Sequence, residues 1–207
     1  MNIVIIIISI LAGYIIGSFP TAYIISRLRK GFDIRQVGTR NLGAMNVFYK
    51  VGFVEGLLVL AIDIGKGAAG VALARYLGAG LVVQMLAGAA VVLGHSFPVF
   101  LKFHGGRGGA SCIGILAYFM PWGIPLYAGL FGLGLLITRF PTLSYSIAFL
   151  CFPFIGWLVY HSESLVIYTV VLLILPLLKY IPRIIEMRKQ GGSWRHELYR
   201  KNIKDRL

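Results

Sequence analysis

Two glycine-rich, basic segments carry the chemistry open to this sequence. The first runs Asp33-Ile34-Arg35-Gln36-Val37-Gly38-Thr39-Arg40-Asn41-Leu42-Gly43-Ala44-Met45-Asn46. The second runs Lys102-Phe103-His104-Gly105-Gly106-Arg107-Gly108-Gly109-Ala110-Ser111. Glycine allows consecutive backbone N–H groups to turn toward one point, and arginine or lysine adds full positive charge. Such a loop suits a phosphate. Each segment abuts a long apolar run, so the pair suggests an enzyme or carrier that handles phosphorylated substrates beside lipid.

The elements that must position these loops are membrane helices. Hydrophobic residues make up 58% of the 207-residue chain and charged residues 13%, with a mean hydropathy of +0.83. A soluble domain carries about 25% charged residues. A spanning helix needs about 20 mainly apolar residues. Candidate spans lie near Ile3–Ile25, Phe53–Leu77, Leu81–Leu101, Ala110–Met120, Ile124–Ile137, Leu143–Tyr160 and Leu165–Ile181. The fourth and fifth are short and are split by Pro121-Trp122-Gly123, which allows one kinked or re-entrant pair. The expectation is an all-α, polytopic membrane bundle of about seven helices. It forms a single domain over 1–207, with 183–207 as a basic tail.

The net charge of +13 is uneven. Arg27, Arg29, Lys30, Arg35, Arg40 and Lys50 follow the first span; Lys102 and Arg107 follow the third; Arg139 follows the fifth; more lie from Lys179 onward. The positive-inside rule puts these segments in the cytoplasm, with the N-terminus outside and the C-terminus cytoplasmic. Charge that follows membrane sidedness argues against nucleic-acid binding. The first apolar run has no basic n-region and no clear cleavage site, so it reads as a permanent span. Cys112 and Cys151 fall in spans and read as packing residues, and no His/Cys cluster has zinc-like spacing. Neither metal nor cofactor is expected.

Within the spans, Gly13 and Gly17 form a small-xxx-small pair, and Gly129, Gly132 and Gly134 line the fifth; close helix packing is the expectation for both sets. Pro20 should kink the first helix near its inner end, where Ser18, Thr21 and Tyr23 make it polar. Asp63 and Lys66, three apart, share a helix face. They form either a structural ion pair or one wall of a polar pocket. His95, near the end of the third span, is either a core histidine or a site residue.

These motifs in order resemble the bacterial integral-membrane glycerol-3-phosphate acyltransferases that use acyl phosphate as donor, the PlsY family. The resemblance runs from about residue 13 to 114. It rests on Gly17-Ser18-Phe19-Pro20-Thr21-Ala22-Tyr23, on Gly31-Phe32-Asp33-Ile34-Arg35, and on the first loop, where the family pattern is close to GSGNxGATN. Asp63-Ile64-Gly65-Lys66-Gly67 and Gly94-His95-Ser96-Phe97-Pro98 continue it into the second loop. The chain is similar as a divergent member. Thr39 stands for the family's serine, Arg40 for a glycine, Tyr49 for an arginine and Arg107 for a lysine. Gly109 and Ser111 replace a valine and a threonine. The third family motif aligns by position to Lys179, Tyr180, Arg183 and Ile184, without its His and Asn.

The resemblance implies acyl transfer from acyl phosphate to the 1-hydroxyl of glycerol 3-phosphate, giving lysophosphatidic acid, in a multi-pass protein of the bacterial inner membrane. The partners expected are those two substrates and membrane lipids; the sequence is silent on oligomeric state. On this reading Gly105, Gly106, Arg107 and Gly108 hold the acyl-phosphate head, and Arg35, Arg40 and Lys102 orient glycerol 3-phosphate. Thr39, Asn41 and Asn46 hydrogen-bond phosphate or hydroxyl groups, and Lys66 and Ser111 complete the substrate-binding set. His95 is the candidate for assisting proton removal, with Thr39 and Asn41 beside it as the catalytic group. The HxxxxD signature of other glycerolipid acyltransferases is absent after His95, His104, His161 and His196. The alternatives are a small transporter of a phosphorylated metabolite, or an acyltransferase with another phosphorylated acceptor. Missing repeat symmetry and one-sided polar motifs weigh against the transporter.

Overall fold

A computed structural model describes residues 2–191. Among these, every regular element is helical: α1 Ile3–Ser18, α2 Thr21–Lys30, α3 Ala44–Lys50, α4 Phe53–Tyr76, α5 Leu81–Ser96, α6 Gly109–Phe119, α7 Gly123–Thr138, α8 Pro141–Ala148, α9 Cys151–Leu158, α10 Glu163–Leu178 and α11 Ile181–Gly191. Four apolar segments are long enough to cross a membrane: Ile3–Lys30, Phe53–Tyr76, Leu81–Leu101 and Pro141–Leu158. Gly109–Phe119, Gly123–Thr138 and Glu163–Leu178 are apolar but shorter. Leu11, Leu93, Leu133 and Trp157 face outward from these helices, as lipid-facing positions should.

The chain divides into two compact units, one running to Tyr118 and including Leu172–Pro176, the other comprising Phe119–Val171 and the chain from Leu177. In the first, α1, α4 and α5 pack at backbone distance because glycines line their contacts. A Cβ at Gly13 would lie 3.3 Å from the Ala87 Cα of α5, and one at Gly17 would lie 2.7 Å from the Val91 carbonyl carbon. Gly94 returns the contact 2.8 Å from the Ser18 N. Gly67 and Gly114 do the same between α4 and α6. With no hydrophobic drive between helices in lipid, such close approach is what dispersion requires. The packing expectation thus holds at Gly13 and Gly17.

Pro20 breaks the first span. It cannot donate a backbone hydrogen bond, so α1 ends at Ser18 and α2 restarts at Thr21, leaving Phe19 at the corner. Beyond α2, Gly31 takes the left-handed conformation (φ 73°) and stops the helix. A small core then forms under the first loop, with Ile34 and Val47 fully buried against Leu42, Val59 and Leu101.

In the second unit, Tyr127 of α7 stacks within 5.2 Å of Phe149 and 5.7 Å of Phe152. The expected span Leu143–Tyr160 is two helices, α8 and α9, because Pro153 has no N–H with which to carry the ladder across Phe149-Leu150. Of Gly129, Gly132 and Gly134, the last alone is packed, against Ser144 at 3.2 Å; a Cβ at Gly129 or Gly132 would meet nothing within 4 Å. These two positions correct the packing expectation: a glycine on a lipid-facing helix surface need not approach another backbone. The tail begins as α11, where Arg183 pairs with Glu186 at 2.8 Å. The rest of the basic tail, 192–207, lies outside the described residues.

Gly17→Ala should lower the thermal midpoint of the solubilised protein by forcing α1 off α5. Gly65→Ala, where a Cβ meets nothing within 4 Å, should be neutral or stabilising by about 0.5–1 kcal/mol, the helix preference for alanine. A thermal-shift comparison reads both.

Candidate functional site

A small cleft opens beside the broken end of α1, where Leu42 of the first loop and Gly105 of the second reach it. Its walls are Gly17–Ala22, Leu42, Pro98, Leu101 and Gly105, with Asp63, Lys66 and His95 as its titratable lining. Its apolar and charged lining comes from five chain segments folded together.

Asp63, on α4, is 1% exposed and Lys66 7%. The Lys66 ammonium lies 2.8 Å from Asp63 Oδ1 and donates to the Phe19 carbonyl at 3.3 Å. That carbonyl is available because the helix stops there. Thr21 Oγ1 donates to the same Asp63 oxygen at 3.2 Å, and His95 Nδ1 stands 3.8 Å from it. The pair therefore is both a buried ion pair and a wall of the pocket, so the two sequence readings coincide. Breaking such a pair strands a buried charge at a cost of about 3–5 kcal/mol.

The second loop folds back onto His95. Gly106 N–H donates to the His95 carbonyl at 3.0 Å. A Cβ at Gly106 would press on the His95 ring, 3.0 Å from Cδ2, and would sit 2.7 Å from the Leu42 carbonyl of the first loop. Gly105 packs likewise, 2.7 Å from the Ser96 carbonyl. Gly108 takes φ 88°, a conformation glycine adopts freely. Before the glycines, Lys102 and Phe103 both stand in the left-handed region, at φ 54° and 61°. Their side chains are exposed. Arg107 is half-buried, and Ser111 is fully buried in the first turn of α6.

The first loop is organised from within. Asn46, 1% exposed, accepts from Thr39 N–H at 3.1 Å. Its amide donates to the carbonyls of Ile34, Val37 and Asn41 at 3.2, 3.0 and 3.2 Å. Arg35 grips the Asp33 carboxylate with two nitrogens, at 2.7 and 3.0 Å. It also reaches the Leu101 carbonyl at 3.3 Å and lies over the Tyr23 ring at 5.4 Å. Arg35 thus braces the first loop against the start of the second. Arg40 is exposed, with φ 57°, and Thr39 and Asn41 are half-buried beside it.

The structure therefore gathers Lys66, His95 and Gly105 at the cleft, sets Gly106 against the His95 ring, and brings the first loop to them through Leu42. Arg35 and Asn46 shape the loop instead. Asp33, Tyr23 and Thr21, present in the motifs without an assigned role, are the partners that hold Arg35 and Asp63. Asp33 and Arg35 are neighbours in sequence and an i, i+2 ion pair was open to inference; the Tyr23 and Leu101 contacts depend on tertiary approach.

The Arg35 guanidinium hydrogen-bonded to Asp33 holds this carboxyl below its ordinary range, outweighing desolvation. A depressed carboxylate contributes stability that is complete above the unfolded value of about 3.9 and is lost as pH falls through the lower folded value. Asp33→Asn should reduce the thermal midpoint at neutral pH. The difference from wild type should shrink below about pH 4, the unfolded value. Thermal shift across pH 3–7 tests the sign.

A family description, glycerol-3-phosphate acyltransferase, matches residues 7–190. Glycerol-3-phosphate acyltransferase 2 of Dehalococcoides mccartyi (strain ATCC BAA-2266 / KCTC 15142 / 195) is 50% identical over 208 residues, covering 100% of this chain and 99% of that relative. A Bacillus velezensis glycerol-3-phosphate acyltransferase is 42% identical over 135 residues, 65% of this chain and 69% of its own. The crystal structure of PlsY, an integral membrane glycerol 3-phosphate acyltransferase in its glycerol 3-phosphate form, superposes with a TM-score of 0.81 at 27% identity, covering 90% of this chain and 92% of that one. A match over residues 7–190 and half-identity across the full length of a relative make this chain a member of the glycerol-3-phosphate acyltransferase family.

Proposed function

We propose that the protein transfers a fatty acyl group from acyl phosphate to the 1-hydroxyl of glycerol 3-phosphate, at the cytoplasmic face of the bacterial inner membrane. The observation that supports it most is the meeting of the two loops at Leu42 and Gly106 against His95. Both substrates carry phosphate, and each loop offers cations and compliant backbone. Gly105, Gly106, Arg107 and Gly108 take the acyl-phosphate head. Arg40, Lys102 and Lys66 draw in glycerol 3-phosphate, with Thr39 and Asn41 bonding its oxygens. Ser111 backs the second loop from the first turn of α6. Arg35 and Asn46, engaged as they are with loop backbone and Asp33, hold the first loop in shape.

In the reaction the glycerol oxygen attacks the acyl carbonyl carbon. The new ester C–O bond forms as the C–O bond to phosphate breaks, and inorganic phosphate leaves with the electron pair. His95 Nε2, on the Gly106 side of the ring, accepts the hydroxyl proton. Because acyl phosphate is an activated donor, positioning and charge neutralisation supply most of the acceleration, and no covalent enzyme intermediate is needed. The acyl tail stays among lipid while its head reaches the loops. Positive-inside asymmetry places the N-terminus outside and the loops and C-terminus in the cytoplasm, with the shorter apolar helices completing seven spans.

Purified protein given palmitoyl phosphate should release phosphate only when glycerol 3-phosphate is present, with lysophosphatidate detected by mass spectrometry. Release that ignores glycerol 3-phosphate would overturn the acceptor assignment. Arg107→Ala should raise the KM for palmitoyl phosphate or cut turnover sharply while the protein still inserts. His95→Gln should lower kcat by about 100-fold or more, the scale of a lost general base.

A further inference from the structure

The ion pair at the head of the first loop reaches beyond that loop. Asp33 is 7% exposed and accepts the Arg35 backbone N–H at 2.9 Å. Its Oδ2 lies 2.7 Å from Arg35 Nη2 and its Oδ1 3.0 Å from Nε. Two parallel contacts fix the plane of a guanidinium, which a single contact would leave able to turn. The Tyr23 ring of α2, 5.4 Å from the guanidinium carbon, supports it from below. Held this way, Nη1 donates to the Leu101 carbonyl, 66 positions further along the chain.

That carbonyl is where the second loop begins. It accepts from Arg35 Nη1 at 3.3 Å and from the His104 N–H at 3.2 Å, which occupies both of its lone pairs. Between Leu101 and His104 stand the two left-handed residues, Lys102 and Phe103, at φ 54° and 61°. Such conformations persist only where the surroundings impose them. Gly105 and Gly106 follow directly, and Leu101 itself is 8% exposed and lines the cleft. A tether on the Leu101 carbonyl therefore sets the direction in which the glycines leave. The tether is a first-loop side chain whose charge Asp33 already matches, which suits it to holding protein in place.

We infer that Arg35, aligned by Asp33, is a positioning residue for the second loop, so that substitutions at the head of the first loop weaken binding of the acyl phosphate. The inference rests on the assignment of the donor head to the second loop given above. An Arg35 that bound glycerol 3-phosphate directly would shift the acceptor's KM instead, and a purely structural pair would shift neither.

Steady-state kinetics on the full-length protein, with palmitoyl phosphate and glycerol 3-phosphate varied in turn, test this in Arg35→Lys, Asp33→Asn and the combination, each assayed below its thermal midpoint. Arg35→Lys keeps the charge but replaces a planar fork with a point donor. It should raise the KM for palmitoyl phosphate by about tenfold, the scale of one charge-assisted hydrogen bond, and leave the KM for glycerol 3-phosphate within about twofold. Asp33→Asn leaves Arg35 in place and should shift the same constant in the same direction. The double variant should match Arg35→Lys to within about twofold, because paired residues are non-additive. A shift in the glycerol 3-phosphate KM alone, a fall in kcat at unchanged KM values, or full additivity overturns the inference. Hydrogen exchange gives a readout that needs no turnover. The His104 amide, bonded to the Leu101 carbonyl, should exchange about tenfold faster in Arg35→Lys, while the amides of α5 keep their wild-type rates. Unchanged exchange at His104, or faster exchange throughout the protein, overturns the inference. Failure of the underlying reading looks different: wild type forms no lysophosphatidate, and both fall even where the exchange result is as expected.

Discussion

The constraint from which the site follows is the cost of burying a carboxylate and an ammonium among apolar helices. Neither Asp63 nor Lys66 can stay charged at its depth without several partners, and the surroundings are arranged to supply them. Breaking α1 at Pro20 exposes the Phe19 carbonyl, which the Lys66 ammonium takes up. Restarting the helix at Thr21 delivers a hydroxyl to the carboxylate. Moving the break by one residue would withdraw both groups. The helix interruption and the buried pair are therefore one feature seen from two elements.

From that junction the design spreads outward. The glycine contacts that bring α1 against α5 also let Thr21 and His95 approach the same carboxylate. The second loop then rests on His95 through a backbone hydrogen bond, and the first loop rests on the second through Leu42 and the Arg35 brace. The loops carry the cations, and beside the Arg35–Asp33 pair their shape is set by neutral contacts: an asparagine amide serving three carbonyls, and glycines admitting a histidine ring. The loops are thus mounted on a frame whose own buried charges are already matched.

Much of this was legible locally. An i, i+3 spacing put Asp63 and Lys66 on one face, proline ended a helix, and glycines four apart marked a close crossing. These rules act within a few residues, where chain geometry leaves little choice. What stayed hidden needed tertiary approach. Nothing near His95 in sequence points to a carboxylate 32 positions earlier, and Arg35 reads as a free cation until Tyr23 and Leu101 fold beside it. The seven apolar runs were visible, but Phe149-Leu150 was hidden as a break, because Pro153 acts on the turn preceding it. Gly129 and Gly132 show the converse failure: a packing motif is half a contact, and the partner must exist.

The paired left-handed residues at Lys102 and Phe103 bear on whether the second glycine loop is a portable module. An L-residue in that conformation gives up about 1–2 kcal/mol, and here two occur in succession. They are held by Phe103 N–H on the Pro98 carbonyl and Gly106 N–H on the His95 carbonyl, at 3.0 Å each. Both anchors belong to the preceding segment. Excised as a peptide, or grafted between helices lacking the Pro98 turn and a histidine for its glycines to rest on, the same ten residues would relax into ordinary extended conformers. The loop's competence is a property of its seat, so homologous sequence transplanted without that seat carries the letters of the motif but not its form.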